Sequence, residues 1–195
     1  MPPREVLLFL TDRWADWEAS FAIAEINSAP EYVVKTIAKD KLPKTSIGGI
    51  RAGIDYVIAD YQDTSALAMV ILPGGFSWKE GPHGEIADFI RMVFQRNIPI
   101  AAICGATVFL GKHRFLDRVR HTGDDLDQFL NEPGYHGSDF YVPVQLVRDK
   151  GFITANETAS VAFAREIFKA LQIDTEDEIE AWYDRFQNGA IREDA

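Results

Sequence analysis

The one cysteine of the chain, Cys104, is the residue whose type and position best suit covalent chemistry. It follows the apolar stretch IPIAAI (98–103), and Gly105 and Ala106 come directly after it. A nucleophile at a sharp turn from a strand into a helix crowds the backbone and needs small neighbours. The amino end of the following helix favours a thiolate through its free N–H groups and dipole. The alternative is a packed thiol, because free cysteine is among the most buried residue types.

Other polar, aromatic and glycine residues follow the predicted strands in the same way. In an open parallel sheet, reactive groups gather at the carboxyl ends of the strands, so these residues are expected to meet around one pocket. The N–H groups of Gly105 and of Gly74-Gly75 are candidates for an oxyanion site. The remaining candidates for the pocket are Trp14, Trp17, Glu18, Trp78, Thr122 and Asp124.

Alternating strand and helix patterns are the elements that must position these residues. Short apolar runs predict strands at 5–10, 32–38, 67–75 and 98–104, a strand or loop at 119–122, and two strands about a turn within 144–155. Helical patterns cover 17–29, 84–96, the segment after Cys104, 124–132, 157–172 and 175–187, and a small hairpin is expected within 39–63. This alternation predicts an α/β fold with a mostly parallel sheet and helices on both faces. We expect a single domain over residues 1–195, in which 173–195 form a C-terminal helix and a loose tail.

Composition narrows the range of partners and compartments. The net charge is −10, which argues against binding nucleic acid or an anionic membrane surface. One cysteine cannot form an internal disulfide. The apolar run Val6 to Leu10 is too short for a signal peptide or a membrane span, so a cytoplasmic protein is expected. Because HExxH, paired CxxC, calcium-loop and GxGxxG patterns are missing, no metal or cofactor is predicted.

Three ordered motifs resemble those of the ThiJ/PfpI family, within the class I glutamine amidotransferase-like superfamily. They are ADWEAS (15–20), ILPGGFSW (71–78) and AAICGATVFLG (101–111). The resemblance extends to GGIRAGIDY (48–56), RHTGDDLDQFL (120–130) and GFITANETASVAFAREI (151–167), and covers roughly residues 5 to 172. It implies a flavodoxin-like three-layer sandwich with a cysteine nucleophile elbow.

The resemblance also implies roles for four residues. Cys104 matches the elbow nucleophile, Glu18 the acidic residue that hydrogen-bonds it, and Gly75 and Gly105 the donors of the oxyanion site. An ionised carboxylate would repel a thiolate, whereas a protonated one can donate to the sulfur. We therefore expect Glu18 to be neutral at pH 7 and Cys104 to be substantially ionised.

Two departures from the family pattern concern histidine. Protease-like members carry a histidine directly after the cysteine, where this chain has Gly105. Many relatives keep a histidine after the strand that corresponds to VRHT, where this chain has Asp124. His121, three residues earlier, should point to the opposite side of an extended segment. A complete Cys-His-acid triad is therefore not assigned.

Two functions follow from these patterns. The first is a cysteine-dependent hydrolase-like or glyoxalase-like enzyme that acts on a small carbonyl or amide substrate, in a family often described as proteases or amidases. The second is a non-enzymatic oxidation sensor or stress protein that uses the same thiol. An inert cysteine in a binding module is a third reading. The family also implies a homodimer, for which the apolar face of 175–187 is one candidate, coverage of the sheet edge being the other.

Overall fold

A seven-stranded sheet forms the centre of the computed structural model, which describes residues 2–189. The strands are β1 (Arg4–Phe9), β2 (Tyr32–Ala38), β5 (Tyr56–Val57), β6 (Leu67–Leu72), β7 (Ile100–Ile103), β8 (Leu146–Asp149) and β9 (Phe152–Ala155). Their order in the sheet is β5-β2-β1-β6-β7-β9-β8, and all neighbours are parallel except β8 and β9. The predicted hairpin is present as β3 (Lys44–Thr45) and β4 (Arg51–Ala52).

Helices cover both faces of this sheet. They are α1 (Asp16–Ser28), α2 (Gly84–Gln95), α3 (Gly105–Lys112), α4 (Leu126–Leu130), α5 (Ser160–Leu171) and α6 (Glu176–Asn188). Residues of α1, α5 and α6 share one buried apolar cluster with one face of the strands. Residues of α2, α3 and α4 share the other cluster with the opposite face. The result is the predicted three-layer α/β sandwich.

The central strands are apolar along their whole length because both of their faces are covered. All six residues of β6 and all four of β7 are buried. Helix α2 buries Ile86, Phe89, Ile90 and Val93 on one face, whereas Phe94 near its end is exposed. The sheet therefore holds the carboxyl ends of β1, β6, β7 and β9 rigidly at one edge, and that edge carries Cys104.

Several short segments lay outside the strong sequence patterns. Of the strand or loop expected at residues 119–122, the structure has the loop, since only an isolated bridge joins His121 to Tyr141. Phe76–Lys79 and Ser138–Phe140 form 3-10 turns that the apolar pattern did not predict. The predicted loose tail lies mostly outside the described residues.

Helix α6 packs on the neighbouring helices α1 and α5. Trp182 contacts Phe168 and Phe21 edge-on, and its Nε1 donates a hydrogen bond to Glu25 at 3.0 Å. Phe186 stacks on Trp182. Of the two roles considered for this apolar face, the described contacts are those of a cover over other helices. None of the helices in the described part of the chain has the length and apolar character needed to cross a membrane.

Candidate active site

Cys104 sits at a strained turn between β7 and α3. Its φ is 55° and its ψ is −131°, a conformation that L-residues rarely adopt. The turn is held because the Cys104 N–H donates to the Ala155 carbonyl at 3.0 Å. The N–H and Oγ1 of Thr107 donate to the Cys104 carbonyl at 2.9 and 2.7 Å. This is the geometry expected of a nucleophile elbow, with the sulfur at the amino end of a helix.

Glu18 lies in the first turn of α1 and contacts the thiol from the side. The residue is only 1% exposed. Its Oε2 accepts the Gly74 N–H at 2.6 Å, while Oε1 is buried and has no well-formed hydrogen bond to the described residues. Burial raises the pKa of Glu18 to about 7, although the Gly74 N–H and the Cys104 thiol act in the opposite direction. The direction of this shift agrees with the expectation of a protonated carboxyl.

Gly74 is required by the close approach of the two reactive side chains. A Cβ placed there would lie 2.6 Å from the Cys104 Cβ, 2.7 Å from the Glu18 Oε2 and 2.9 Å from the Cys104 Sγ. No side chain fits at these distances without moving the thiol or the carboxyl. The Pro-Gly-Gly end of β6 therefore brings Cys104 and Glu18 together.

Gly75 and Gly105 supply N–H groups beside the thiol. Gly75 has a φ of 142° and pairs with Trp14 in an isolated antiparallel bridge. The two hydrogen bonds of that bridge flank Gly75, so its own N–H points away from the paired segment. The Gly105 N–H donates toward the Cys104 sulfur. Both glycines border the cavity over Cys104, where such donors can stabilise a developing oxyanion.

The expectation of an ionised thiol is contradicted by its surroundings. Burial raises the pKa of the Cys104 thiol strongly, and the negative charges of Glu18 and Asp124 raise it further. The Gly105 N–H lowers it, but by less than these effects together. Burial and the two carboxylates therefore raise the pKa of Cys104 more than the N–H at the helix terminus lowers it, and Cys104 is a protonated thiol at neutral pH.

The thiol opens into a cavity of about 230 Å³ at the carboxyl edge of the sheet. Trp17, which is 48% exposed, forms part of its rim. The lining residues are Ala15, Trp17, Glu18, Ile47, Gly75, Phe76, Lys79, Cys104, Gly105, Asp124, Gln128 and Glu157.

Two further carboxylates approach the sulfur in this cavity. The Cys104 Sγ and one oxygen each of Asp124 and Glu157 lie within 4.8 Å of one another. Asp124 is oriented because its Oδ1 accepts the Glu157 N–H at 2.7 Å. A thiolate and two carboxylates are a donor set that can hold a divalent cation.

Three residues expected in the pocket lie behind it instead. Trp14 and Trp78 are 5% and 4% exposed, and Trp78 stacks against Phe109 while its Nε1 donates to the Pro73 carbonyl. Thr122 is fully buried, and its hydroxyl donates to the Val144 carbonyl at 2.6 Å. These three side chains are buried inside the fold and are not among the residues that line the cavity.

His121 also faces away from the thiol. It is fully buried, with Nδ1 2.7 Å from the Val119 carbonyl and Nε2 2.8 Å from the Tyr135 hydroxyl. Burial lowers the pKa of this imidazole. No histidine is among the residues that line the cavity. A carboxyl-based site is therefore the arrangement present around Cys104.

The cavity also contains residues that sequence reasoning missed. Glu157 follows β9 at the same edge of the sheet as Cys104. Since reactive groups gather at the carboxyl ends of parallel strands, its position after a predicted strand was a signal that could have identified it. Phe76 and Lys79 come from the 3-10 turn after Gly75. Ile47 comes from the β3–β4 hairpin and Gln128 from α4, and neither has a local sequence signal.

Comparisons with known proteins agree with this architecture. The model of the DJ-1/PfpI family matches residues 4–170. "Uncharacterized protease YdeA" of Bacillus subtilis is 33% identical over 177 residues, which cover 91% of this chain and 88% of the relative. "Uncharacterized protease YoaZ" of the same organism is 33% identical over 192 residues, covering 94% of this chain and 90% of the relative.

Solved structures match over nearly the whole chain. The crystal structure of a thiJ/pfpI family protein from Bacillus anthracis is 31% identical, with a TM-score of 0.88, and the match covers 97% of this chain and 93% of that one. These similarities span the elbow, the sheet and the flanking helices described above. The chain belongs to the DJ-1/PfpI family.

Proposed function

We propose that this protein is a cysteine-dependent hydrolase that cleaves an amide or a related carbonyl bond in a small substrate. The observation that supports it best is the Cys104 thiol at a strained elbow, in contact with a buried Glu18 whose Oε1 lacks a hydrogen bond. The names of the two Bacillus subtilis relatives, which call them proteases, point to the same bond type.

Glu18 acts as the base in the first step. The Cys104 sulfur attacks the substrate carbonyl carbon, and the thiol proton moves to the Glu18 carboxylate. A carboxyl with a pKa near 7 is well matched to accept and return a proton at neutral pH. The carbonyl oxygen becomes an oxyanion, which the N–H groups of Gly75 and Gly105 stabilise.

Collapse of this intermediate completes the first half-reaction. The carbon–nitrogen bond breaks, the leaving amine takes the proton from Glu18, and an acyl-thioester remains on Cys104. A water molecule then attacks the thioester carbonyl while Glu18 accepts its proton. The thiolate leaves, regains that proton from Glu18, and the acid product is released.

The other functions considered have less support from the site. A sensor thiol reacts with peroxide as an accessible thiolate, whereas burial and carboxylates raise the pKa of Cys104. A glyoxalase-like reaction would use the same thiol and proton shuttle. It differs in substrate, and methylglyoxal therefore belongs in the substrate screen.

The test is a screen of amino-acid amides, short peptides and methylglyoxal with four proteins. We expect amide hydrolysis by the wild type, a loss of at least about 100-fold in Glu18→Gln, and none above background in Cys104→Ser. Glu5→Gln is the matched control, since it changes a glutamate far from the cavity. Turnover that survives in Cys104→Ser, or conversion of methylglyoxal alone, would refute the hydrolase proposal.

A further inference from the structure

A second cavity, of about 250 Å³, adjoins the one over Cys104 and lies between the 3-10 turn Phe76–Lys79 and the helices α3 and α4. The two cavities share three lining residues, which are Lys79, Gly105 and Gln128. Cavities of about 230 and about 250 Å³ are each smaller than the roughly 300 to 1,000 Å³ of ordinary small-molecule sites, whereas the two together reach that range. The space open to a substrate therefore extends beyond the pocket directly over the thiol.

Gly105 leaves the passage between the two cavities open. It is the first residue of α3 and borders both cavities. A Cβ placed there would lie 3.2 Å from the Gly75 carbonyl oxygen and 3.6 Å from the Trp78 Cβ. A longer side chain would therefore project toward the 3-10 turn, into the space where the cavities meet. A substrate whose carbonyl oxygen accepts the Gly105 N–H lies at this junction.

The proposed reaction decides which part of the substrate enters the second cavity. The leaving amine takes its proton from Glu18. Of the described residues, Glu18 borders the first of these two cavities and not the second. The leaving nitrogen therefore stays in the first cavity, and the acyl group is the part of the substrate that is directed into the second.

Part of the second cavity is apolar. Trp78 and Phe109 form its base and are only 4% and 2% exposed. Val108 on α3 is half-buried and lines the cavity above them. Because a methylene chain gains free energy when it leaves water for such a surface, the body of the acyl group is expected to be apolar.

The charges of the two cavities differ. Beside the thiol, Asp124 and Glu157 each place one carboxylate oxygen within 4.8 Å of the sulfur. In the second cavity, Lys112 is paired with Glu132 at 3.1 Å. Lys79 is exposed and forms no ion pair within residues 2–189. An anionic group is therefore repelled beside the thiol and attracted at Lys79.

We propose that the second cavity binds the acyl group of the substrate, and that this group is an apolar chain ending in a carboxylate that Lys79 binds. The substrate class is then monoamides of dicarboxylic acids. This inference rests on the proposed hydrolase function and specifies the acyl half of its substrate. The chain must carry the carboxylate past Asp124 and Glu157, and four methylene groups hold it roughly 6 Å from the amide carbon.

Equilibrium binding to Cys104→Ser tests the proposal without any catalysis. With EDTA present at pH 7, we expect adipamate to bind at least about fourfold more tightly than its methyl ester, the factor for unit charges roughly 5 Å apart in water. Malonamate, whose carboxylate would stay beside Asp124 and Glu157, should bind more weakly than adipamate. NMR titration measures all three affinities.

Lys79→Met in the same background should remove the preference for adipamate over its ester. Lys41→Met is the matched control, because this exposed lysine lines neither cavity, and it should leave the preference unchanged. Equal binding of the acid and the ester to Cys104→Ser, or a preference that survives Lys79→Met, would overturn the proposal.

Val108→Trp tests the position of the acyl group by filling the second cavity. Added to Cys104→Ser, it should abolish measurable binding of adipamate. Added to the wild type, it should leave the rate of Cys104 alkylation by iodoacetamide unchanged, because this small reagent needs the first cavity alone. An unchanged alkylation rate also shows that the turn at Cys104 is intact. Adipamate binding that Val108→Trp does not weaken would contradict the proposed position.

Two further outcomes separate the possible failures. If adipamate binds to Cys104→Ser as expected but the wild type hydrolyses no amide, the hydrolase function fails while the acyl subsite stands. If the wild type hydrolyses amino-acid amides but neither binds nor hydrolyses adipamate, the hydrolase function stands and the acyl-subsite proposal is overturned.

Discussion

Two glutamates lie near opposite ends of β1, and their hydrogen bonds differ. Glu5 accepts the Tyr56 hydroxyl on Oε1 at 2.6 Å and the Tyr61 hydroxyl on Oε2 at 3.0 Å. Glu18 accepts the Gly74 N–H on Oε2, and its Oε1 has no such partner. The first carboxylate is fully engaged in holding the edge of the sheet. The second leaves one oxygen without a hydrogen bond, and its side chain contacts the strained Cys104.

The consequences for titration follow from these contacts. The hydrogen bond to Glu5 raises the pKa of Tyr56 to about 12, so the tyrosine proton stays in place. At the other end, burial raises the pKa of Glu18 to about 7, where its proton is exchanged readily at neutral pH. Glu5, with a hydrogen bond on each oxygen, has a structural role. Glu18, which is buried and has a hydrogen bond on only one oxygen, can exchange a proton with its surroundings.

Gly74→Ala should have the largest effect of these substitutions, and it acts at the end of β1 that lies near Cys104 and Glu18. Its new Cβ would overlap Cys104 and Glu18, so we expect a loss of about 3 kcal/mol in the free energy of unfolding and loss of amide hydrolysis. Urea denaturation and the activity assay measure both. Gly53→Ala is the control, because a Cβ there meets nothing within 4 Å. Equal stability of the two variants would show that the Cys104–Glu18 contact is looser than described.

Glu18→Gln should change the pH dependence of stability. A carboxyl with a pKa of 4.5 when unfolded and about 7 when folded stabilises the fold only while protonated. Its contribution of about 3 kcal/mol is present below pH 4.5 and lost as the pH rises through 7. Unfolding at pH 4 and pH 8 should therefore show the variant more stable than the wild type at pH 8 alone. A parallel loss in both proteins would contradict the raised pKa.

Tyr61→Phe should have a smaller effect, confined to the end of β1 that carries Glu5. It leaves the Glu5 Oε2 without its donor, and we expect a cost of about 1 to 2 kcal/mol in the free energy of unfolding. Thermal and urea denaturation measure this cost. The rate of Cys104 alkylation should not change, and a change would show that the two ends of β1 are coupled.

Much of the fold and part of the site could be predicted from residue patterns. The apolar runs of β6 and β7 predicted buried strands correctly, because both faces of the sheet are covered, and the helical pattern over 84–96 corresponds to α2. Cys104, Glu18, Gly75 and Gly105 were identified through motifs, and the structure brings them together at one cavity. The small residues that follow Cys104, Gly105 and Ala106, also predicted the tight turn correctly.

The charge state of the site could not be predicted in the same way. The pKa of Cys104 depends on Glu18 from α1 and Asp124 from the loop before α4, in addition to burial. The sequence next to Cys104 showed only the helix terminus, which lowers a thiol pKa, and it therefore predicted a thiolate. Trp78 was misplaced because the 3-10 turn directs it between Phe9 and Phe109 and not into the cavity.

The most direct test of the Cys104–Glu18 pair is the rate of Cys104 alkylation by iodoacetamide as a function of pH. The measurement compares the wild type with Glu18→Gln and Asp124→Asn. We predict a wild-type inflection above the ordinary thiol pKa of about 8.5, and a lower inflection in both variants, since each removes a negative charge. A wild-type inflection below that value, or one that neither substitution moves, would contradict the account of this site.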